Sequence, residues 1–233
     1  MSLARVDTRQ CVHAATKHGR RQFDTLPDTP GRHRRLAVVE HDEAIERHVE
    51  QHFGPIEFVM HEVGMADRVH VLVVGPTERR PYRTLVTEGM SGRPMRVPEG
   101  VSPFAELMIG LPADWPLAED GGSWPVHVLK YLARFPHERE TWLGAWHLVP
   151  NGNPVQPYAL DTPFAGAVVT PMLDVEPKAR VIESSTAINL LAVVPLHEDE
   201  VALKIEQGTD ALIATLDRGE VSEVFDPDRP CLL

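Results

Sequence analysis

Three short apolar runs constrain this chain most: Val69–Val74, Leu85–Thr87 and Ala105–Leu111, each closed within two residues by Gly or Pro. A helix needs about ten residues to bury a face, so runs this short predict strands. Their near-continuous apolar character, without polar alternation, predicts a sheet covered on both faces. Ile56–His61 precedes them as a further strand, and Phe164–Leu173 and Ile188–Leu196 follow beyond the Asn151-Gly152-Asn153-Pro154 turn.

Helical signals flank these strands. Asp42 can cap a run in which Ile45, Val49 and Phe53 recur every four residues before Gly54-Pro55, which predicts a helix over Asp42–Phe53. Ser123, an early Pro125 and apolar spacing of three to four predict a second over Ser123–Arg134. Glu198–Gln207 stops at Gly208 and Asp210–Asp217 at Gly219, with Val221–Phe225 as a last extended piece. Strands and helices without a regular βαβ rhythm predict an α+β fold, a single domain over residues 38–233 with a mixed β-sheet flanked by helices. Residues 1–37, broken by Pro27, Pro30 and Gly31, read as a flexible basic tail.

Charge excludes one class of partner. The net charge is −11, and because residues 1–35 carry eight Lys or Arg against three Asp, the remainder carries −16. Nucleic acid is excluded, since its phosphates are met by clustered cations. The ten acidic residues between Leu196 and Leu233 read as a solubilising face or as a docking surface for a basic partner. Only Cys11 and Cys231 occur, so neither a disulfide framework nor a zinc knuckle is indicated. No run of about 18 apolar residues exists, and the expectation is a cytoplasmic protein without a membrane partner.

The link from the second run to the third holds the best candidate for chemistry. Gly89-Met90-Ser91-Gly92-Arg93 resembles a nucleophile elbow, yet Arg93 replaces the last glycine, and Pro94 and Pro98 deny the helix that supports an oxyanion hole. Ser91 is therefore read as satisfying its own turn, and no catalytic residue is assigned. His48 and His52 share a helix face but lack a third ligand, so they read as a solvent-facing pair and no metal is expected. Glu40, Asp42, Glu43 and Glu46 read as complementing the start of the first helix. Gly121-Gly122-Ser123 lacks the lysine of a phosphate loop, and no cofactor is expected. Trp142, Trp146 and His147 suit either a core or a binding surface.

Taken in order, Leu85-Val86-Thr87-Glu88-Gly89-Met90-Ser91-Gly92-Arg93-Pro94-Met95, then Glu106 to Trp115, then Asn151-Gly152-Asn153-Pro154, resemble the Suppressor of fused domain family. Trp124-Pro125 and Asp226-Pro227-Asp228-Arg229-Pro230 extend the resemblance from about residue 40 to the end. It implies a mixed α/β domain like the amino-terminal part of the animal Hedgehog-pathway regulator, without the second domain that helps to clamp a Gli-type factor. Stand-alone members are mostly bacterial, and some are proposed as immunity proteins that neutralise toxins. The family brings no catalytic residues. The expectation is a non-enzymatic protein-binding module, its partner a protein such as a toxin. Thr87, Gly89, Met90, Ser91, Met95, Trp142 and His147 are candidates for the binding surface. The alternative is a hydrolase or small-ligand enzyme in which Ser91, His127, His147 and a carboxylate meet only in the fold.

Overall fold

The computed structural model describes residues 32–61, 68–117, 121–172 and 175–233, with side chains from residue 41 onward. Residues 1–31 of the expected basic tail lie outside the described residues. The first helix, α1 (Arg32–His52), starts ten residues before the expected Asp42. Arg, Leu and Ala are strong helix formers and nothing after Gly31 breaks the run, so Asp42 lies inside the helix and does not cap it.

An eight-stranded mixed sheet forms the centre. β1 (Ile56–Met60), β2 (His70–Val74), β3 (Tyr82–Glu88) and β4 (Ala105–Pro112) make an antiparallel meander. The chain then leaves through α2 (Trp124–Glu138), β5 (Leu148–Pro150), β6 (Phe164–Pro171) and the two-residue β7 (Val181–Ile182). It returns as β8 (Ile188–His197), which lies parallel to β4 and antiparallel to β6 and β7. The resulting order is β1-β2-β3-β4-β8-β6-β5, with β7 against β8. α3 (Glu198–Gln207) and α4 (Thr209–Arg218) follow, ended by the expected glycines.

Alternate residues of the apolar strands face opposite sides, and both sides are covered. Val71, Val73, Leu85, Leu107 and Ile109 pack with Leu129 and Leu132 of α2. Leu72, Val74, Val86 and Met108 pack with Ile45, Val49 and Phe53 of α1. On that second side α3 and α4 cover the β6–β8 half through Val201, Leu212 and Leu216. This double coverage is why the runs carry no polar alternation.

The aromatics concentrate on the α2 side, where Trp124 stacks on Tyr158 and Phe225 meets Trp115, Trp124 and Phe164 edge-on. Gly122 lies against the Pro116 carbonyl, which a Cβ would meet at 1.8 Å, and its own carbonyl accepts the Trp115 indole N–H at 2.7 Å. It packs loop on loop there. The extended piece after α4 inserts beside β4, with Gly110 N donating to Glu223 O and Phe225 N to Gly110 O. β5 and β7 carry too few residues for any period to show, and α2 runs on past Arg134 through a buried Pro136. Among the described residues no helix is long and apolar enough to cross a membrane.

Candidate functional site

The Leu85–Met95 segment is organised from below by a carboxylate. The β3–β4 ladder ends at Val86↔Met108. There the Thr87 hydroxyl replaces a backbone partner, accepting from Leu107 N at 2.8 Å and donating to Glu106 Oε2 at 2.6 Å. Glu106 Oε1 accepts from Gly89 N at 3.1 Å, Ser91 N at 2.9 Å and Ser91 Oγ at 2.7 Å. These four donors wind Met90–Gly92 into one 3₁₀ turn. Gly89 cannot be another residue, because its φ is +119° and a Cβ would stand 2.3 Å from the Arg68 carbonyl.

Glu106 is fully buried and all four donors are neutral. Burial raises its pKa, the bonds from Thr87, Ser91 and Gly89 oppose this, and the balance stands at about 7. Continuing the strand register by two residues sets Glu88 opposite Glu106. Glu88 is buried with no partner for Oε1 among the described residues, and burial, then Asp42, Glu46 and Glu106, push it up to about 8. Asp42 is itself raised by burial and by Glu46. The acidic residues of α1 therefore do not complement the helix start, which lies ten residues earlier; Asp42 and Glu46 act on Glu88 instead.

Two imidazoles hold the outside of the turn. His41 Nδ1 of α1 donates to Ser91 O at 3.2 Å, and His137 Nε2 of α2 donates to Met90 O at 3.1 Å. His48, read above as solvent-facing, is buried and donates to Ala179 O at 3.0 Å, because α1 presses that face onto the sheet. Its pKa is lowered by burial. Among the described residues no three His, Cys, Asp or Glu side chains cluster as metal ligands.

Thr87, Met90, Ser91 and Met95 are buried, and Gly89 is half-buried. The four side chains face the interior and fix the backbone shape of the turn. Met95 is tied to the loop after α2 by Leu143 N donating to its sulfur at 3.4 Å. That loop carries half-buried Trp142 and His147, their rings 4.2 Å apart. Burial lowers the His147 pKa, and its bond to the Trp142 backbone raises it. Ser91 Oγ is spent on Glu106, His147 sits against Trp142, and His127 is exposed on α2, so the structure does not bring these residues together.

Between the outer rim of the turn and the end of α2 runs an open groove of about 460 Å³, lined by Arg93, Pro94, Arg96, Pro136, His137 and Glu140. Arg96 forks onto Glu140 at 2.9 and 3.1 Å, and Arg96 N donates to Thr141 O at 3.3 Å. Neither Glu106 nor this groove was assigned from the sequence. An acidic residue opening an otherwise apolar strand was the available signal for Glu106; the groove left none.

The family model described as Suppressor of fused protein matches residues 65–230. A search of curated proteins finds no match. Among solved structures, a Suppressor of fused homologue from Neisseria gonorrhoeae superimposes with a TM-score of 0.63 at 12% identity, covering 84% of this chain and 98% of that one. The Sufu–Fu complex gives 0.61 at 15% identity over 83% and 92%. Drosophila Suppressor of Fused gives 0.57 at 14% identity over 84% of this chain and 51% of that one. At these identities the likeness concerns the fold.

Proposed function

Because the chain belongs to the Suppressor of fused family, we propose that it is a non-enzymatic, cytoplasmic protein-binding module whose partner docks over the rim of the Gly89–Arg96 turn. The observation that carries this reading is the consumption of the Thr87 and Ser91 hydroxyls by buried Glu106. Ser91 is 1% exposed and Glu106 0%, so a substrate has no access to that hydroxyl and the pair shapes a surface. The outer rim, by contrast, faces solvent across a groove too open for a small ligand, which needs most of its surface buried. The Sufu–Fu complex among the structural neighbours supports protein binding as the family's mode of action.

Photocrosslinking from the groove tests this. A photoreactive residue at Pro94 or Arg96, expressed in the native host, should yield a discrete protein adduct, whereas one at exposed Tyr131 should not. Absence of any adduct from the groove, or an esterase activity abolished by Ser91→Ala, would overturn it. The narrower form of the reading, an immunity-type pairing with a toxin, is carried by the family resemblance alone. A neighbouring reading frame for a secreted toxin would support that form, and a setting among metabolic genes would count against it.

A further inference from the structure

Where α1 meets the end of β3 and β4, carboxyl groups crowd one interface. Glu88 is 6% exposed, and its Oε1 has no hydrogen-bond partner among the described residues. It lies two residues beyond Val86 and so on the same side of the sheet, the side on which Ile45 and Val49 of α1 pack. Its neighbours along the sheet are His70, paired with it on β2, and Glu106 on β4. His70 is half-buried, and its ring meets that of exposed His61 at 4.9 Å. α1 brings His41, half-buried Asp42 and exposed Glu46 to the same place. Arg68, whose carbonyl lies against Gly89, has an exposed side chain, while His137 holds Met90 O from α2 and Glu183 acts on His48 further along α1. Asp42 and Glu46 are four apart on one helix face, a spacing at which like charges repel. His41 relieves Asp42, and nothing opposes the rise of Glu88.

The helix on this cluster is fastened lightly. β3 is laddered on both edges, to β2 and to β4. Close to Glu88, α1 is tied by His41 alone: Nδ1 donates to Ser91 O at 3.2 Å, and Thr186 Oγ1 donates to Nε2 at 3.4 Å. Val49, Phe53 and the His48 bond to Ala179 O lie further along the helix. We propose that the stretch of α1 from His41 to Glu46 is a proton-linked cover over the end of β3 and β4. It sits down while Glu88 is protonated; lifting it releases the Ser91 carbonyl, admits water to Glu88 and lets the proton go. Lifting also carries Asp42 and Glu46 away. Glu106 keeps its four donors, none of which belongs to α1, so the inner side of the turn holds in both states. Closed, Glu88 stands at about 8, and hydrated it returns towards 4.5. The closed state therefore binds this proton more tightly than the open one. Opening becomes easier by about tenfold per pH unit between about 4.5 and about 8, and levels off above that.

Hydrogen exchange of the full chain, followed by mass spectrometry from pH 5 to pH 9 at times scaled to the intrinsic exchange rate, tests this. Amides 45–52 of α1 should exchange ahead of those of α2. Their protection should fall about tenfold per pH unit up to about 8 and then level. Glu88→Gln cannot ionise and should abolish the fall, with α1 still ahead of α2. Glu46→Gln alters an exposed side chain and serves even if Glu88→Gln fails to fold. It lowers the repulsion on Glu88 and should raise the protection of α1 more at pH 9 than at pH 5. Exchange of α1 and α2 together at every pH, or an α1 protection that does not change with pH, would overturn the proposal. So would a fall that Glu88→Gln leaves intact, or a Glu46→Gln gain no larger at pH 9 than at pH 5.

Discussion

Glu106 beneath the turn and Glu200 beneath the carboxyl-terminal segment are the same residue with the same burial, both 0% exposed, and they end in opposite electrostatic states. Glu106 is satisfied by neutral donors from its own neighbourhood, and burial prevails, raising its pKa to about 7. Burial raises Glu200 too, but Arg229 and the His197 amide outweigh it and hold the carboxyl below its ordinary range. Arg229 forks onto Glu200 at 2.5 and 2.7 Å and also donates to Pro195 O, while the carbonyl of Arg229 accepts from His197. Leu232 N adds a further bond to Glu200. The difference lies in where the counter-charge comes from. The last residues deliver a cation that locks them to β8 and α3. The turn has only dipoles, which fix its shape and leave its ionisation balanced near neutrality.

Breaking the lock should have the largest effect. Arg229→Ala strands a buried carboxylate and should cost about 3–5 kcal/mol in urea unfolding, and pairing it with Glu200→Met should recover much of that. Under the turn, Glu106→Gln aims an N–H at groups that donate, and should cost about 2–3 kcal/mol. A loss in Arg229→Ala no larger than in an exposed arginine variant would erase the distinction between the two sites.

The two regions should also fail at opposite ends of the pH scale. Glu106 and Glu88 are raised, so the folded state binds more protons than the unfolded one. Their contribution is complete below about 4.5 and is lost as pH rises through about 7 and about 8. Glu200 is lowered, so its contribution is complete above about 4.5 and is lost as pH falls below that. Glu88→Gln, which replaces a buried carboxylate lacking a partner for Oε1 among the described residues, should therefore raise stability at pH 9 and flatten the alkaline limb of the urea midpoint. Arg229→Ala should flatten the acid limb. The smallest effect belongs to Ser91→Ala, about 1 kcal/mol, because Glu106 keeps its other three donors.

The turn was partly legible in the sequence. Arg93, Pro94 and Pro98 sufficed to reject a nucleophile elbow, and Glu198–Gln207 matches its predicted span because acidic residues open it and Gly208 closes it. Its organising residue was not legible. Glu106 lies 15 residues beyond Ser91, and only the strand register carries it beneath the turn. The start of α1 was missed because no cap marks Arg32, and the start of β3 because Tyr82, Arg83 and Thr84 look like loop until their pairing with Pro112, Leu111 and Gly110 is seen. Arg229 lies in a recognised Asp-Pro-Asp-Arg-Pro run, yet its partner is 29 residues upstream.

The contrast between the two glutamates is tested most directly by following their side-chain carboxyl carbons by NMR from pH 3 to pH 9, assigned with Glu106→Gln and Glu200→Gln. Glu106 should titrate with a midpoint near 7 and Glu200 below 4.5. Two glutamates titrating together in the ordinary carboxylate range would contradict it.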